Sequence, residues 1–327
     1  MTTLSDVALR AEVSKATASR AFSRPESVRS DTRERILAVA RELDYTPNRV
    51  ARSLSKGRTG NLGLVVPDIS NPFFPPLIQA VQAEAKRREL ALFVADIDEH
   101  TEDETRVVRA MAAQVDGLVL ASPRMPDADL LDLLERVPVV VVNRSTAGVP
   151  AVLVPAEQGV TQAVEHLVAL GHRTLAYLSG PADGFSQAER RTALTTAAER
   201  AGLEVVVLGP FEPGFSAGLT AADLALATGA TAVLAYNDLM ALGLMQRLAG
   251  RGVRVGTDVS VIGIDDIWLA PMTTPPLTTI AVPGAAAGAA AVRLLSDLIS
   301  GGLPDPAPTL RLPSELVVRD STGSAPR

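Results

Sequence analysis

The chain has 327 residues, 47% of them hydrophobic, and a formal net charge of −6. It contains no cysteine and no run of eighteen apolar residues, which excludes disulfide bonds, cysteine-based metal or catalytic sites and a membrane-spanning helix. Residues 1–6 lack the basic flank and apolar stretch of a secretory signal, so we expect a cytoplasmic protein. The length and the share of hydrophobic residues are sufficient for two or three domains.

The charge is distributed unevenly along the chain. Residues 1–60 carry 12 Lys/Arg and 7 Asp/Glu, whereas the rest of the chain carries 19 basic and 30 acidic residues. A basic head on an acidic body is typical of a nucleic-acid reader with a separate regulatory domain. A solvated basic tail would show the same asymmetry, so composition alone leaves both interpretations open.

The first 46 residues predict three short helices. Thr3-Leu4-Ser5-Asp6 fits a capping box that opens a helix from Leu4 to Ala11. Ser14 is placed to cap a second helix over residues 15–22, and Ser30 is placed to cap a third. Two short helices that are joined by a tight turn and braced by a third form a helix-turn-helix unit.

The second predicted helix carries an outer face that suits a DNA groove. Its outer positions, Lys15, Ala16, Ser19 and Arg20, are short or cationic. Such a face fits a major groove about 12 Å wide, where lysine and arginine approach base edges and phosphates. Glu12 lies in the turn before this helix, at a position where glycine is common. A left-handed backbone at Glu12 would cost about 1 kcal/mol. A three-helix module that binds protein, or nothing, is the alternative.

Motifs along the chain carry a family resemblance. The head contains D-V-A-x-x-A-x-V-S-x-x-T-x-S-R from Asp6 to Arg20, then T-R-E-R-I-L and Y-T-P-N-R-V-A-R-S-L. The body contains E-H-L-V-A-L-G-H-R, N-D-L-M-A-L-G, D-V-S-V-I-G-I-D-D and P-P-L-T-T-I. Over nearly its whole length the chain resembles the lactose/galactose repressor (LacI/GalR) family of transcriptional regulators.

The resemblance implies a homodimer that presents two reading helices to the half-sites of a near-palindromic operator in double-stranded DNA. No heptad helix follows Arg319, which favours a dimer over a tetramer. The implied contacts are Lys15, Ala16 and Arg20 with bases, and Ser14, Thr17 and Ser19 with phosphates.

A short basic segment, residues 47–60, joins the head to the body. Pro47 or Asn48 can start a helix of about eight residues, which is marginal alone in water. In the family that this chain resembles, such a segment folds on operator DNA and pushes a leucine between base steps in the minor groove. A flexible basic linker is the alternative. The resemblance assigns the wedge to Leu54 and further DNA contacts to Asn48, Arg49 and Ala51.

From Leu62 onward, short β-rich runs alternate with helical stretches. Near-continuous apolar strands between helices predict parallel sheets that are covered on both faces. One sheet of this length is improbable, so we expect two sheets with a boundary near Pro155. The candidate strands are residues 62–66, 91–95, 117–120, 139–142, 175–178, 205–208, 232–235 and 259–264.

The expected fold is an N-terminal all-α helix-turn-helix DNA-binding domain followed by an α/β body of two parallel-sheet lobes that resembles periplasmic sugar-binding proteins. Residues 1–46 form the DNA-binding domain and residues 47–60 the hinge helix and linker. Residues 61–327 form the effector-binding and dimerisation domain. Its N-lobe comprises about 61–155 and 283–313, and its C-lobe about 156–282 and 314–327.

Ligands of open α/β sheets bind beyond the carboxyl ends of the strands, and polar and aromatic residues follow the predicted strands here. Aromatic faces stack on the C–H surface of a sugar ring, and Asn, Arg and Asp satisfy its hydroxyl groups. Loop residues that only cap helices are the alternative. Matching positions contact ligand in sugar-binding relatives, and the resemblance carries this role to Asn71, Phe73, Phe74, Asn143, Arg144, Arg190, Phe211, Asn237 and Asp265.

Enzyme motifs are incomplete in this chain. Residues 214–218 match G-x-S-x-G, but the motif needs a strand before the serine and a later histidine. Because the histidines His100, His166 and His172 all come earlier, we interpret this stretch as the start of a helix. No phosphate-binding G-x-x-x-x-G-K-[ST] occurs. We therefore predict no catalytic residue, no metal site and no cofactor.

The sequence thus predicts a ligand-responsive transcriptional regulator, a repressor of carbohydrate-utilisation genes whose operator affinity changes when a sugar or polyol binds between the lobes. A plain solute-binding protein and an enzyme are the competing classes. The first would require a signal peptide and no helix-turn-helix, and the second a set of acid, base or nucleophile that the chain does not supply.

Overall fold

The computed structural model describes residues 2–45 and 58–326. The chain divides into two compact units, Met1–Gly60 and Asn61–Arg327. In the part of the chain that is described, no helix is long and apolar enough to cross a membrane.

In its described residues the first unit contains three α-helices, α1 (Leu4–Arg10), α2 (Lys15–Ser23) and α3 (Ser30–Glu42), with a 3-10 turn at Pro25–Ser27. Their apolar faces meet in one small core. Phe22 and Tyr45 pack against this core, and none of the described arginine or lysine side chains of the unit belongs to it. The core consists of Val7, Ala11, Ala21, Ile36, Val39 and Ala40.

Local capping follows the sequence at two of the three predicted positions. The Thr3 hydroxyl accepts from the Asp6 N–H at 3.3 Å, and the Asp6 carboxylate accepts from the Thr3 N–H at 2.7 Å, so the capping box is confirmed. The Ser14 hydroxyl accepts from the Thr17 N–H at 3.1 Å, as predicted. The prediction for Ser30 is wrong, because α3 already includes Ser30 and is preceded by Arg29 without a side-chain cap.

The turn between α1 and α2 has the backbone that its sequence makes costly. Glu12 has φ 54°, in the left-handed region. The turn is nevertheless closed by backbone hydrogen bonds, among them Val13 N–H to Ala8 O at 3.0 Å. The tight geometry of the unit therefore overrides the local preference of Glu12.

The second unit alternates strands and helices. The strands are β1 (Asn61–Val66), β2 (Ala91–Asp96), β3 (Gly117–Ala121), β4 (Val139–Val142), β5 (Ala151–Leu153), β6 (Thr174–Leu178), β7 (Glu204–Leu208), β8 (Ala232–Ala235), β9 (Ser260–Asp265), β10 (Thr278–Ala281), β11 (Thr309–Arg311) and β12 (Glu315–Val317). The helices are α4 (Phe74–Arg87), α5 (Thr101–Ala112), α6 (Asp127–Leu134), α7 (Glu157–Ala169), α8 (Phe185–Ala201), α9 (Phe215–Ala227), α10 (Asp238–Gly250) and α11 (Gly284–Gly301).

The strands form two six-stranded sheets. The order in the first sheet is β11-β5-β4-β3-β1-β2, and the order in the second is β12-β10-β9-β8-β6-β7. All pairings are parallel except that of β10 with β12. The prediction of two parallel sheets is confirmed, and each of the eight predicted strands is present with ends that differ by at most one residue.

Three segments connect the two lobes. They are residues 154–156 between β5 and α7, residues 282–283 between β10 and α11, and residues 312–314 between β11 and β12. Each lobe is therefore built from separate stretches of the chain. The carboxyl ends of the central parallel strands of both sheets border the space between the lobes, which is where such sheets bind ligands.

The G-x-S-x-G stretch begins a helix, as interpreted from the sequence. Helix α9 starts at Phe215 with Gly214 as its N-cap residue, and the preceding strand already ends at Leu208. Helices α9 and α10 then pack unusually closely through Gly218 and Gly243. A Cβ atom at Gly218 would lie 2.0 Å from the Met240 carbonyl oxygen, and one at Gly243 would lie 2.0 Å from the Phe215 carbonyl oxygen.

Candidate functional site

Helix α2 presents the face that the sequence predicts. Lys15, Ala16, Ser19 and Arg20 are exposed, whereas Ala18 is buried in the unit. The helix therefore buries Ala18 and Ala21 and turns its cations outward. Ser14 and Thr17 sit at its first turn, where their hydroxyl groups are 2.8 Å apart. The predicted contacts Asn48, Arg49, Ala51 and Leu54 lie outside the described residues.

A cavity lies between the two lobes of the second unit, and we call it the interlobe cavity. Residues from the carboxyl ends of strands in both sheets line it. Of the nine predicted residues, the structure brings seven together here. These are Asn71, Phe73, Phe74, Asn143, Arg190, Asn237 and Asp265.

A buried cation and a buried carboxylate line this cavity side by side. The Arg190 guanidinium donates to the Tyr236 carbonyl oxygen at 2.5 Å and to the Asp265 carboxylate at 3.3 Å. It also lies 4.5 Å from the centre of the Tyr236 ring. The side chains of Arg190 and Asp265 are only 10% and 7% exposed. Burial raises the pKa of Asp265 to about 6, although the charge of Arg190 and its hydrogen bond oppose the shift.

The three asparagines of the interlobe cavity also form hydrogen bonds within the protein. Asn237 caps α10 by accepting from the Met240 N–H at 2.9 Å, and Asn71 accepts from the Phe73 N–H at 3.1 Å. Asn143 accepts from the Val154 N–H at 3.2 Å. The Asn237 NH2 group also donates to the Pro213 carbonyl oxygen at 2.7 Å. Because an amide NH2 group has two N–H donors, each of the three side chains still has a donor that a ligand oxygen could engage.

Two adjacent phenylalanines supply the aromatic wall. The rings of Phe73 and Phe74 are 5.1 Å apart at an angle of 80°. Phe74 is buried in the core of the unit, and Phe73 packs against that core while remaining partly accessible. Phe73 is therefore the more accessible ring of the pair, and its edge-to-face contact with Phe74 restricts its position.

Two of the predicted contact residues do not line the interlobe cavity, and this corrects the expectation. The Arg144 guanidinium donates to the Met125 carbonyl oxygen at 2.5 Å and to the Asp127 carboxylate at 2.5 Å, and its hydrogen bond is the main reason that the pKa of Asp127 is lowered. Phe211 packs against the apolar core around β8 and α10. Both side chains are committed to the fold next to the cavity.

Sequence reasoning missed a charged group on the opposite wall. Glu99 and Arg124 line the cavity and form an ion pair with each other. Arg124 also reaches across to Asp183 of the second lobe, with 3.7 Å between the charged atoms. Burial raises the pKa of Glu99, against the opposing charge of Arg124. Among the described residues, Arg124 with Asp183 is the one ion pair that joins the lobes.

Unusual backbone conformations also occur at the interlobe cavity. Four residues that line the cavity have positive φ angles: Glu99 (58°), Ser122 (48°), Asn143 (56°) and Asp265 (121°). Such angles are uncommon for residues other than glycine, and they cluster at functional sites because the surrounding fold must hold them there.

The partly buried His166 of α7 and the buried His172 of the following turn both hydrogen-bond within the fold. The ring of His172 lies 2.7 Å from the Thr231 hydroxyl and 3.0 Å from the Ser260 hydroxyl, and burial is the main reason that its pKa is lowered. His166 lies 2.9 Å from the Thr322 hydroxyl. No cluster of three potential metal ligands occurs among residues 2–45 and 58–326.

Comparison with known proteins agrees with this architecture. Residues 3–48 match the family described as bacterial regulatory proteins, lacI family, and residues 164–322 match the periplasmic binding protein-like domain. The ribose operon repressor of Halalkalibacterium halodurans is 34% identical, over 98% of this chain and 97% of that protein.

Two solved structures are similar along nearly the whole chain. The Lac repressor dimer bound to operator and the anti-inducer ONPF has 30% identity and a TM-score of 0.89, and the match covers 98% of this chain and 99% of that one. The complex of the transcriptional regulator CelR with cellobiose has 31% identity and a TM-score of 0.71, with coverage of 98% and 100%.

Proposed function

Because this chain belongs to the lacI family of bacterial regulatory proteins, we propose that it is a ligand-responsive DNA-binding transcriptional regulator. It acts as a repressor of carbohydrate-utilisation genes, and a small sugar or polyol bound between the lobes alters its affinity for the operator. It works in the cytoplasm, where it reaches the DNA, and it has no enzymatic role. The observation that carries the proposal is the interlobe cavity, which combines a buried Arg190–Asp265 pair with an aromatic wall.

The first unit is the DNA-binding part. Lys15, Ala16 and Arg20 contact bases in the major groove, while Ser14, Thr17 and Ser19 position the helix on phosphates. The exposure of Lys15, Ala16, Ser19 and Arg20 supports this assignment. We assign residues 1–46 to this domain, residues 47–60 to the hinge with Leu54 as the wedge, and residues 61–327 to effector binding and dimerisation.

The effector-binding part uses both lobes. Asp265 accepts from a ligand hydroxyl group, Arg190 and the asparagine NH2 groups donate to ligand oxygens, and Phe73 stacks on the ring. Buried hydroxyl groups left unpaired would cost about 1–3 kcal/mol each, so a ligand must match several of these groups at once. Relatives support this class, since the CelR structure contains cellobiose and one relative is named for the ribose operon.

A mobility-shift assay tests the proposal. The full-length protein should bind a genomic fragment with an affinity that falls steeply as salt rises, because phosphate contacts release counterions. One compound of a sugar and polyol panel should then change that affinity by about 5- to 150-fold. Lys15→Ala should weaken operator binding, while Lys86→Ala, the same change at an exposed site in the second unit, should not. A protein that binds no fragment even at low salt would contradict the proposal.

The affinity for that effector should depend on pH. Since the pKa of Asp265 is about 6, the carboxylate that accepts from a hydroxyl group is mostly protonated at pH 5. We expect the effector Kd to be about tenfold higher at pH 5 than at pH 7.5, measured by calorimetry. The Asp265→Asn variant should bind weakly with little pH dependence, which separates Asp265 from Glu99 in the same cavity.

Asp265 also makes the free energy of unfolding depend on pH, with a sign opposite to that of effector binding. Its folded pKa lies above the ordinary value of 3.8, so the folded state holds the proton more tightly than the unfolded state. The contribution of Asp265 to the free energy of unfolding is therefore largest at low pH and falls as the pH rises from about 4 to about 6.

Exposed apolar side chains support a homodimer. In the segment after β9, Trp268 is 60% exposed and Met272 is 70% exposed, and Phe93 and Val94 are exposed on the edge strand β2. Apolar groups of this size on a surface mark sites of protein association. We therefore propose that a second copy of the chain covers them.

The single tryptophan of the chain makes this testable. On dilution through the dimer dissociation range, Trp268 emission should shift to longer wavelength as the side chain enters water. Trp268→Arg should give monomers in analytical ultracentrifugation and weaken operator binding at least about tenfold, because half-site contacts no longer act together. Leu303→Arg, a similar change at another exposed apolar residue, is the control. A monomer at high concentration, or unchanged emission on dissociation, would contradict the assignment.

A further inference from the structure

Asp238 is a buried carboxyl group that the proposed effector site does not use. It is the first residue of α10, next to the N-cap residue Asn237, and its exposed fraction is 0%. Its Oδ2 atom accepts from the Ile267 N–H at 2.9 Å, and its Oδ1 atom accepts from the Thr279 hydroxyl at 2.5 Å. No lysine or arginine among residues 2–45 and 58–326 pairs with it. A carboxyl group buried without a cation is costly, so these two hydrogen bonds are what it contributes to the fold.

The neighbouring strand leaves room for this side chain. A Cβ atom at Gly263 of β9 would lie 2.0 Å from the Asp238 Oδ1 atom. Burial, and after it the charge of Asp265, raises the pKa of Asp238 well above its ordinary value, which favours the neutral form. The position therefore suits a short neutral side chain with an acceptor, and an asparagine amide meets that description.

The segment that Asp238 contacts runs from the effector site to the protein surface. We call residues 265–269 the β9 loop, because Asp265 is the last residue of β9. Asp265 lines the interlobe cavity, whereas Trp268 is 60% exposed. Asp265 and Asp266 have φ angles of 121° and 54°, which are uncommon for residues other than glycine. Such a backbone persists only where neighbouring groups hold it.

Three described side chains hold the β9 loop. Asp238 accepts from the Ile267 N–H, and the Thr279 hydroxyl oxygen accepts from the Asp266 N–H at 3.4 Å. The Arg319 guanidinium donates to the Asp266 carboxylate at 2.6 Å. Because Asp238 also accepts from Thr279, it contributes to two of these three contacts. Loss of Asp238 therefore loosens the loop at both Ile267 and Asp266.

We propose that Asp238 is a positioning residue that fixes the β9 loop and thereby places Asp265 in the effector site and Trp268 on the surface at the same time. Asp238 does not line the interlobe cavity, so it acts through its neighbours. The consequence for effector affinity rests on the proposed function, whereas the control of Trp268 does not.

Time-resolved anisotropy of Trp268, the single tryptophan, tests the proposal on the full-length protein without an effector. Asp238→Ala removes both hydrogen bonds, so the rapidly decaying fraction of the anisotropy should rise at least about twofold. Asp238→Asn keeps an acceptor for the Ile267 N–H and places a donor against the Thr279 oxygen, so Trp268 should move as in the wild type. Unchanged Trp268 motion in Asp238→Ala, or equal motion in the two variants, would overturn the proposal.

A core truncation in the same helix separates position from stability. Leu248 lies ten residues further along α10, about 15 Å from Asp238, and is buried in the apolar core. Leu248→Ala should lower the thermal midpoint by leaving a cavity, without changing the motion of Trp268. A rise equal to that of Asp238→Ala would show that lost stability alone loosens the loop. Thr279→Val, which removes only the hydroxyl, should give a smaller rise and decides the question if Asp238→Ala does not fold.

Calorimetry with the sugar and polyol panel, beginning with ribose and cellobiose, measures the effect on the effector site. Asp238→Ala should raise the Kd of the active compound at least about tenfold, and Asp238→Asn should stay within about threefold of the wild type. If Trp268 responds as expected and no panel compound binds, the proposed function fails while the role of Asp238 stands. If operator and panel behave as proposed and Trp268 does not respond, only the role of Asp238 is rejected.

Discussion

Arg190→Ala should abolish the response to effector while leaving operator binding in place. The guanidinium makes hydrogen bonds to the Tyr236 carbonyl oxygen and to Asp265 and lies over the Tyr236 ring. Hydrogen bonds from a charged group contribute about 1.5–3 kcal/mol each, so loss of the cation should raise the effector Kd at least about 100-fold. Calorimetry with the active panel compound and mobility shift with the operator measure the two effects.

Stability separates loss of contact from loss of fold. Arg190→Ala leaves the Asp265 carboxyl buried without its cation and should lower the thermal midpoint. The double variant Arg190→Ala/Asp265→Ala removes both charges, so it should recover part of that midpoint while remaining unresponsive. Arg191→Ala changes the next residue, which is exposed, and should behave like the wild type. Operator binding that disappears together with the effector response would show that Arg190 does not act as proposed.

Gly243→Ala should destabilise the second unit strongly for a single methyl group. The new Cβ would meet the Phe215 carbonyl oxygen at 2.0 Å, and both partners are helix backbone that cannot rotate away. Helices α9 and α10 must then move apart, at a cost of about 1–3 kcal/mol in the free energy of unfolding. Urea unfolding followed by circular dichroism gives the change directly.

Gly250→Ala is the matched control in the same helix. Nothing lies within 4 Å of a Cβ atom at Gly250. Alanine is the better helix former, so this variant should be unchanged or more stable by up to about 1 kcal/mol. Equal effects of the two substitutions would mean that the close approach of α9 and α10 does not limit stability.

Local chemistry made the first unit predictable. The capping groups of Thr3, Asp6 and Ser14 act over three residues, so the sequence contains both partners of each bond. The prediction for Ser30 was wrong because α3 already begins at Ser30, and a preference for serine at the cap does not indicate which residue precedes the helix.

The central strands were predictable because they are apolar runs buried on both faces. Strands β5, β10, β11 and β12 were missed for a different reason. Each has three or four residues, and β11 and β12 pair with strands far earlier in the chain, β5 and β10. A local sequence pattern does not encode such pairing, because a strand of three residues forms only where a partner strand lies beside it.

The lining of the cavity was predictable where a residue ends or directly follows a central strand, as for Asp265 and Asn143. Arg144 follows the same strand as Asn143, but its long side chain turns back to the Met125 carbonyl oxygen and Asp127. Glu99 and Arg124 look like ordinary surface charges in the sequence. Glu99 also has a left-handed backbone, which glutamate rarely adopts and which the sequence does not indicate with a glycine.

The outer strands β11 and β12 have a consequence for synthesis of the chain. Both strands come after all the remaining strands in the sequence. Strand β11 completes one edge of the first sheet, and β12 completes one edge of the second. A nascent chain that has reached residue 300 therefore lacks an edge strand in both lobes, while helices α1, α2 and α3 of the first unit have already left the ribosome. We expect the head to fold early during translation, and the lobes to close together once the last connection has emerged.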